Sequence, residues 1–498
     1  MTHSWPKVFS FGQIRASAIA IVALSVGLGS ALAADPATRP AARTNVLLII
    51  VDDLNTSLGC YGNPVVKSPN IDRLAARGVR FDRSYCQYPL CNPSRVSFLS
   101  GRRPETSGVY VLTTPAREAL PDAVLLPQFF RQQGYFSGGA GKIFHSEKMS
   151  DAASWDFYED QPPQDKEEQA AIDARYGAAG GKTDGQPRAY QLTTDGTRTR
   201  DGKNVRTILR LMQEKAAAKQ PFFLAAGFHK PHLPWTAPKK FFDLYPAGSI
   251  TLPSEPAMRD IPPIAMQTEL TGNAQPDSRV EAIRGYYACV SFTDSHVGLL
   301  LDQLDRLDLW KNTVVVLLGD NGFHLGDHGG LWAKLSAFDA STHVPLLIAG
   351  AGVPAGKVIS TPVELLDVYP TLAELAAFSA PTGLEGQSLV PAMRGTAVGT
   401  RGPVSSVVFH YDVTKGVDVI GRTVISEQWR YTEWGGGKAG REYYSRREDP
   451  AEYQNIISSP GVAEQVRAGE KVIAASSLPK PGPANRPQAL LPRAPKAP

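Results

Sequence analysis

The segment from Asn45 to Val51 sets the first constraint, because Val46-Leu47-Leu48-Ile49-Ile50-Val51 is apolar throughout, rich in β-branched residues and without polar alternation. A strand with one wet face alternates apolar and polar residues, so an unbroken run reads as a strand covered on both faces. Such strands belong to a mostly parallel sheet flanked by helices. Pro221 to Gly227 and Thr313 to Leu318 have the same character, and Val344 to Ile348 makes a fourth run. Ile71 to Gly78, Val124 to Gly134 and Arg279 to Leu309 carry apolar residues at helical spacing, the first two ending in a glycine stop. Strands alternating with helices predict an α/β layered domain.

The chain is 498 residues long, more than one small core can use. Lys7 and Arg15 precede an apolar run from Ala16 to Leu28, and Ala31-Leu32-Ala33 offers small residues at the cleavage position. That order reads as a secretory signal peptide over residues 1–33. A membrane anchor needs about 20 apolar residues, and this run is shorter and broken by Ser25, Gly27 and Gly29. The mature protein is therefore expected to be exported without a stable membrane anchor: periplasmic, secreted, or lysosomal in a eukaryote. A Pro/Ala linker over 34–43 leads into the main domain, 44–395. After Gly395 the pattern changes to short strand-like segments, Val404 to Tyr411, Thr423 to Ser426 and Trp429 to Trp434, separated by glycine. They predict a smaller C-terminal subdomain, 396–475, with an antiparallel sheet, followed by a Pro-rich disordered tail, 476–498. Gly177 to Lys203 and Leu252 to Pro276 read as loops.

A net charge of +4 over this length, with no run of Lys or Arg, argues against a nucleic-acid partner. The four cysteines, Cys60, Cys86, Cys91 and Cys289, are too few for a disulfide scaffold in a chain of this size, even in an exported protein.

Asp52-Asp53 and Asp320-Asn321 each follow a buried strand directly. In open α/β sheets, ligands bind beyond the carboxyl ends of strands. Two such ends can bring together three carboxylates and an amide oxygen, a donor set for a hard cation such as Ca2+ or Mg2+ and not for zinc. Each pair taken alone is also a common turn former. Of nine histidines, six lie near strand ends: His145, His229, His232, His324, His328 and His343. Lys142, Lys230 and Lys334 lie close by. Clustered His and Lys suit a site that holds a tetrahedral anion and moves protons.

Cys91-Asn92-Pro93-Ser94-Arg95-Val96-Ser97-Phe98-Leu99-Ser100-Gly101-Arg102 completes the set. This C-x-P-S-R…G-R pattern resembles the sulfatase signature, in which the cysteine is oxidised to formylglycine. Val51-Asp52-Asp53 and Gly319-Asp320-Asn321-Gly322 are similar to the metal-binding segments of that family. Asp449-Pro450 with Glu452 and Asn455 resembles the signature of its C-terminal subdomain. Gly141 to His145, Gly227 to Pro234 and Trp332 to Leu346 are similar to the iduronate-2-sulfatase subfamily. Asn321 departs from that subfamily's His, and the stretch between His328 and Trp332 is one residue longer, which puts the reach of Lys334 in question.

The resemblance implies an alkaline-phosphatase-like sandwich in which 44–395 is the sulfatase catalytic domain. It implies sulfate-ester hydrolysis on a sulfated saccharide, with Ca2+ favoured over Mg2+, after a formylglycine-generating maturation enzyme has modified Cys91. Asp52, Asp53, Asp320, Asn321 and the residue at 91 would hold the metal. Arg95 would hold the modified residue and offset the carboxylates. Lys142, Lys334 and His229 would bind sulfate, with His229 as the acid for the leaving alcohol and His145 as a base. Lys230 would meet a substrate carboxylate, and His343 would support the site from behind. A phosphatase or phosphodiesterase on the same scaffold would carry Ser or Thr in place of Cys91. A non-catalytic sulfated-glycan binder would have lost the nucleophile or the aspartates, and both are present.

Overall fold

The computed structural model describes residues 43–476, apart from 161, 163–164, 177–188, 253, 268–269, 272–275, 397–401 and 413–414. Residues 1–33, read from the sequence as a signal peptide, and, but for their boundary residues, the stretches read as linker and tail lie outside the described residues.

Asn45–Val51 is a strand, and all seven of its residues are buried. Its side chains alternate between two cores, as a two-residue period requires. Leu47, Ile49 and Val51 pack with residues of the Arg200–Ala217 and Pro276–Arg306 helices. Val46, Leu48 and Ile50 pack with Val96, Phe98, Leu126, Phe130 and Leu372 on the other face. Each such side chain contributes about 1.5–3 kcal/mol by leaving water. This two-sided burial is why the run has no polar positions.

Asn45–Val51 lies at the centre of a nine-stranded sheet, between Thr313–Gly319 and Phe222–Phe228, parallel to both. Beyond Phe222–Phe228 come Phe136–Gly141 and Phe157–Glu159, also parallel. On the other side, His343–Gly350 runs antiparallel to Thr313–Gly319 and to Gly78–Tyr85. The Val344 to Ile348 run is thus a buried strand as expected, but of opposite direction. The chain leaves Gly319 and reaches His343 through loops, short bridges and a four-residue helix, without a crossover helix. It therefore re-enters the sheet from the same end.

Four strands, Val404–Asp412, Val417–Ile425, Trp429–Trp434 and Gly440–Ser445, form the antiparallel C-terminal sheet. The helix Ala463–Ala475 packs on it through Ile473 against Val424 and Tyr431. A buried charge network fastens this sheet to the short helix Asp339–Thr342 before His343. Arg430 donates to Asp339 and pairs with Glu452. Arg446 Nη1 lies 2.7 Å from Asp339 Oδ1, and His343 Nδ1 lies 3.2 Å from Asp339 Oδ2. Asp449 accepts the amides of Tyr453 (3.1 Å) and Gln454 (2.7 Å), and Asn455 Oδ1 accepts that of Tyr443 at 3.0 Å. The D-P-x-E-x-x-N segment is therefore a clasp on the last strand.

Candidate active site

Sheet register assembles the site. Val51 is level with Gly319 on one side and Phe228 on the other, and Gly227 is level with Gly141. The next residues along these four strands are Asp320, Asp52, His229 and Lys142, so one sheet edge presents them in a row. Gly227 is required here: a Cβ on it would lie 2.3 Å from the backbone carbon of Lys142. Any side chain would push the lysine out of the row.

Asp52 and Asp320 are fully buried. Asp53 adopts φ 58°, a left-handed conformation that aspartate tolerates better than most residues. Its amide donates to Asp320 Oδ1 (3.0 Å), and its carbonyl accepts the Tyr286 hydroxyl (2.8 Å). Asn321 Nδ2 donates to Asp53 Oδ1 at 2.8 Å.

Cys91 is the first residue of a buried helix, Cys91–Ser100. Its Sγ receives the ammonium of Lys334 at 3.0 Å and that of Lys142 at 3.8 Å. The extra residue after His328 therefore does not keep Lys334 from the site. Ala333 and Leu335, both at positive φ, bracket that lysine, and the Leu335 amide is tied to the Pro89 carbonyl at 3.2 Å. Burial, with Asp52 beside it, pushes the Cys91 thiol up, so it stays protonated despite two lysines. An unmodified thiol in that state is a poor nucleophile.

One turn along the helix, Arg95 spends its guanidinium on the carboxylates. Its Nε donates to Asp320 Oδ2 (2.8 Å) and Nη2 to Asp52 Oδ1 (3.0 Å), while Nη1 donates to the carbonyls of Lys142 and Ile143. Lys142 pairs with Asp52 and Lys334 with Asp53. Three carboxylates thus face three fixed cations. Burial alone would push Asp52 up, but Lys142 leads the positive groups that hold it well below the usual range. Asp320 is pushed up to about 7 by burial, with Arg95 opposing and Asp52 and Asp53 adding to the rise.

His229 Nδ1 lies 3.8 Å from Asp52 Oδ2 and makes no hydrogen bond. Burial, then His232, Lys142 and Lys230, push it well below the ordinary histidine value. His145 is lowered to about 3 by burial and by Lys142, so it is a neutral imidazole. Lys230 is buried, donates to the Pro234 carbonyl at 2.6 Å and lies 3.7 Å from Glu168. His343 bonds the Asp82 carbonyl at 2.7 Å and faces Asp339, in the clasp and not beside Cys91. His324 and His328 share Asp327. His328 stacks on Tyr453 at 4.4 Å and on Phe338 at 4.3 Å.

His232 belongs to the site more closely than its sequence position suggested: its Nε2 lies 3.8 Å from Asp53 Oδ2, and its ring centroid 4.8 Å from that of His229. Tyr286 was hidden inside a long helical pattern. Ser94, whose hydroxyl donates to the Asp320 carbonyl, was visible only as part of the signature.

The residues fit a divalent cation. Ligand atoms of Asp52, Asp320 and Cys91 lie within 4.8 Å of one another. Asn321, whose Nδ2 reaches Asp53, has a buried Oδ1 with no hydrogen-bond partner, a further oxygen donor. Carboxylate and amide oxygens are the donors that Ca2+ and Mg2+ prefer.

Comparison with known proteins agrees with this geometry. The sulfatase family profile matches residues 44–378, and the profile described as "N-sulphoglucosamine sulphohydrolase, C-terminal" matches residues 326–475. A sulfatase of Formosa agariphila is 34% identical, with 83% of each chain covered. The iduronate 2-sulfatase of Homo sapiens is 34% identical over 73% of this chain and 74% of its own. The choline-sulfatase of Rhizobium meliloti is 30% identical over 71% and 72%. In fold, the phosphonate monoester hydrolase of Agrobacterium radiobacter superposes with TM-score 0.72 at 20% identity, covering 87% of this chain and 95% of that one. The chain belongs to the sulfatase family. It is a sulfuric ester hydrolase on an alkaline-phosphatase-like fold, similar to the iduronate 2-sulfatases.

Proposed function

We propose that the enzyme removes the 2-O-sulfate of a uronic acid in a sulfated glycan, using a formylglycine made from Cys91 and a bound divalent cation, Ca2+ in preference to Mg2+. The observation that carries this reading is the surroundings of Cys91: a protonated, buried thiol between two ammonium groups and three carboxylates. Those neighbours are wasted on a thiol and suited to an oxygen nucleophile attacking a sulfate. The aldehyde as its hydrate supplies that nucleophile and a second hydroxyl for expelling sulfate. A divalent cation bound there would lower the pKa of the nucleophile and offer Lewis acidity toward a sulfate oxygen.

Asp52, Asp53, Asp320, Asn321 and the residue at 91 would hold the cation. Arg95 keeps Asp52 and Asp320 side by side and offsets their charge. Lys142 and Lys334 turn from the carboxylates to the sulfate oxygens, where charge develops, and a donor so placed is worth about 3 kcal/mol. A divalent cation would add two positive charges to the balanced cluster, and the ester and the nucleophile bring one negative charge each. His145, held neutral, takes a proton from the hydrate. His229 is neutral in the free enzyme; it takes a proton from solvent as the anionic ester binds and gives that proton to the leaving alcohol. Lys230, expected from the resemblance to meet a substrate carboxylate, instead supports this loop: its ammonium is bonded to the Pro234 carbonyl and lies 3.7 Å from Glu168.

The 2-O-sulfated uronate is suggested by the likeness to iduronate 2-sulfatases. The signal-peptide reading suggests export, and among the described residues no helix is long and apolar enough to cross a membrane. A panel of defined sulfated saccharides, with phosphate esters alongside, tests the reading. Turnover of 2-O-sulfated uronates above the rest is expected, and turnover of phosphate esters alone would sink it. Mass spectrometry of the peptide containing residue 91, from protein made with a maturation enzyme, is expected to show an aldehyde in place of the thiol.

A further inference from the structure

We infer that Asp201 is the positioning residue for His229. The inference rests on His229 acting as the acid for the leaving alcohol. Asp201 stands in the first turn of the Arg200–Ala217 helix, whose cap is the Thr199 side chain accepting from the Gly202 amide at 3.1 Å. The Asp201 carboxylate is buried, and it grips two consecutive amides. Oδ1 accepts from His229 N at 2.8 Å, and Oδ2 from Lys230 N at 2.9 Å. These are the first amides past the end of the Phe222–Phe228 strand, where ladder bonding stops.

The His229 ring has no hydrogen bond of its own at Nδ1, and Asp52 is 3.8 Å away. Its place over the site is therefore set by its backbone and by the His232 ring 4.8 Å away, and Asp201 holds that backbone. A carboxylate taking one N–H on each oxygen fixes both direction and distance. Asp201 has no room to meet substrate itself. The space between it, Glu168, Thr199, His229 and Lys230 is about 10 Å³, at most one water. The loop is braced on its other side by the Thr293 hydroxyl, which donates to the Lys230 carbonyl at 3.0 Å. Loss of Asp201 should thus displace the histidine without unfolding the loop.

Asp201→Asn retains shape and one acceptor but turns an N–H against the second amide. The readout is leaving-group dependence. A misplaced acid slows substrates whose alcohol is a poor leaving group and spares those whose phenol leaves unaided. The holoenzyme is assayed on a series of aryl sulfates from 4-nitrophenyl to phenyl sulfate and on a 2-O-sulfated disaccharide. For Asp201→Asn, kcat on the disaccharide is expected to fall about ten- to a hundredfold. Turnover of 4-nitrophenyl sulfate should fall less than about threefold, so log kcat against leaving-group pKa steepens. His229→Gln should steepen it at least as much. Thr199→Ala, which loosens the same helix end, should lower thermal stability and leave the slope alone. If the Asn variant does not fold, Asp201→Glu carries the same measurement.

A uniform loss across the series, or no loss, in Asp201→Asn while His229→Gln steepens the slope would overturn the inference and leave the proposed mechanism standing. No steepening in either variant would remove His229 as the acid, and the inference with it. Steepening in Asp201→Asn but not in His229→Gln would show that Asp201 acts through another group and would overturn the assignment.

Discussion

Arg95 and Arg430 are both fully buried guanidinium groups that bridge two carboxylates from separate segments, Asp52 and Asp320 for the first, Asp339 and Glu452 for the second. Their surroundings differ. Around Arg430 each charge closes on another: Arg446 and His343 complete Asp339, and the Asp339 amide is taken by Glu452 at 2.7 Å. Around Arg95 the charges are balanced as well, but they converge on Cys91. Lys334 and Lys142 lie 3.0 and 3.8 Å from a buried thiol that stays protonated and cannot answer them. A closed network holds parts of a protein together, whereas an open one is held rigid for something else to complete.

The sharpest break of this comparison is at the open network. Cys91→Ala should lower sulfate-ester turnover by roughly three orders of magnitude or more while the protein remains folded, as judged by circular dichroism. Next, Asp320→Asn should weaken divalent-cation binding by roughly a hundredfold, measured by calorimetry. A chelator should abolish wild-type turnover, with Ca2+ restoring it better than Mg2+. Persistence of full activity in chelator would place the chemistry outside metal catalysis.

The closed network should answer in stability. Arg430→Met leaves Asp339 and Glu452 short of a buried partner and should cost about 3–5 kcal/mol of unfolding free energy. Turnover per folded molecule should be unchanged. A loss of kcat without loss of stability would erase the distinction between the two networks. The smallest effect concerns Glu442, whose carboxyl accepts Trp434 Nε1 and the Tyr444 hydroxyl, both at 2.6 Å. Burial raises it from 4.5 to about 7, so the folded state prefers the proton. Stability contributed by that proton is full below pH 4.5 and is lost as pH rises through 7. Glu442→Gln should therefore stabilise the protein by on the order of 1–3 kcal/mol at pH 8 and by little at pH 4, read from denaturant melts.

The sheet's centre was legible because two-sided burial forbids polar positions, so Asn45–Val51 and Thr313–Gly319 announced themselves. Phe136–Gly141 did not: with three glycines it carries little strand signal, although glycine there lets Lys142 approach. The carboxylates, Cys91 and the lysines were legible from motif and position. Asp201 was lost inside a stretch read as loop from its Gly, Thr and Asp content. Those same residues are what a helix start looks like, with Thr199 as cap and Asp201 in the first turn. The antiparallel turn of His343–Gly350 depends on a connection with no periodic signal.

The balance of three carboxylates against Arg95, Lys142 and Lys334, all buried, has a consequence for how this enzyme feels salt. Mobile ions screen charges they can surround, within about 10 Å at 0.1 M ionic strength, and they cannot surround these. Ionic strength should therefore act on the encounter with an anionic glycan, through kcat/KM, and leave kcat nearly flat. A salt titration would then separate arrival from chemistry without a single substitution.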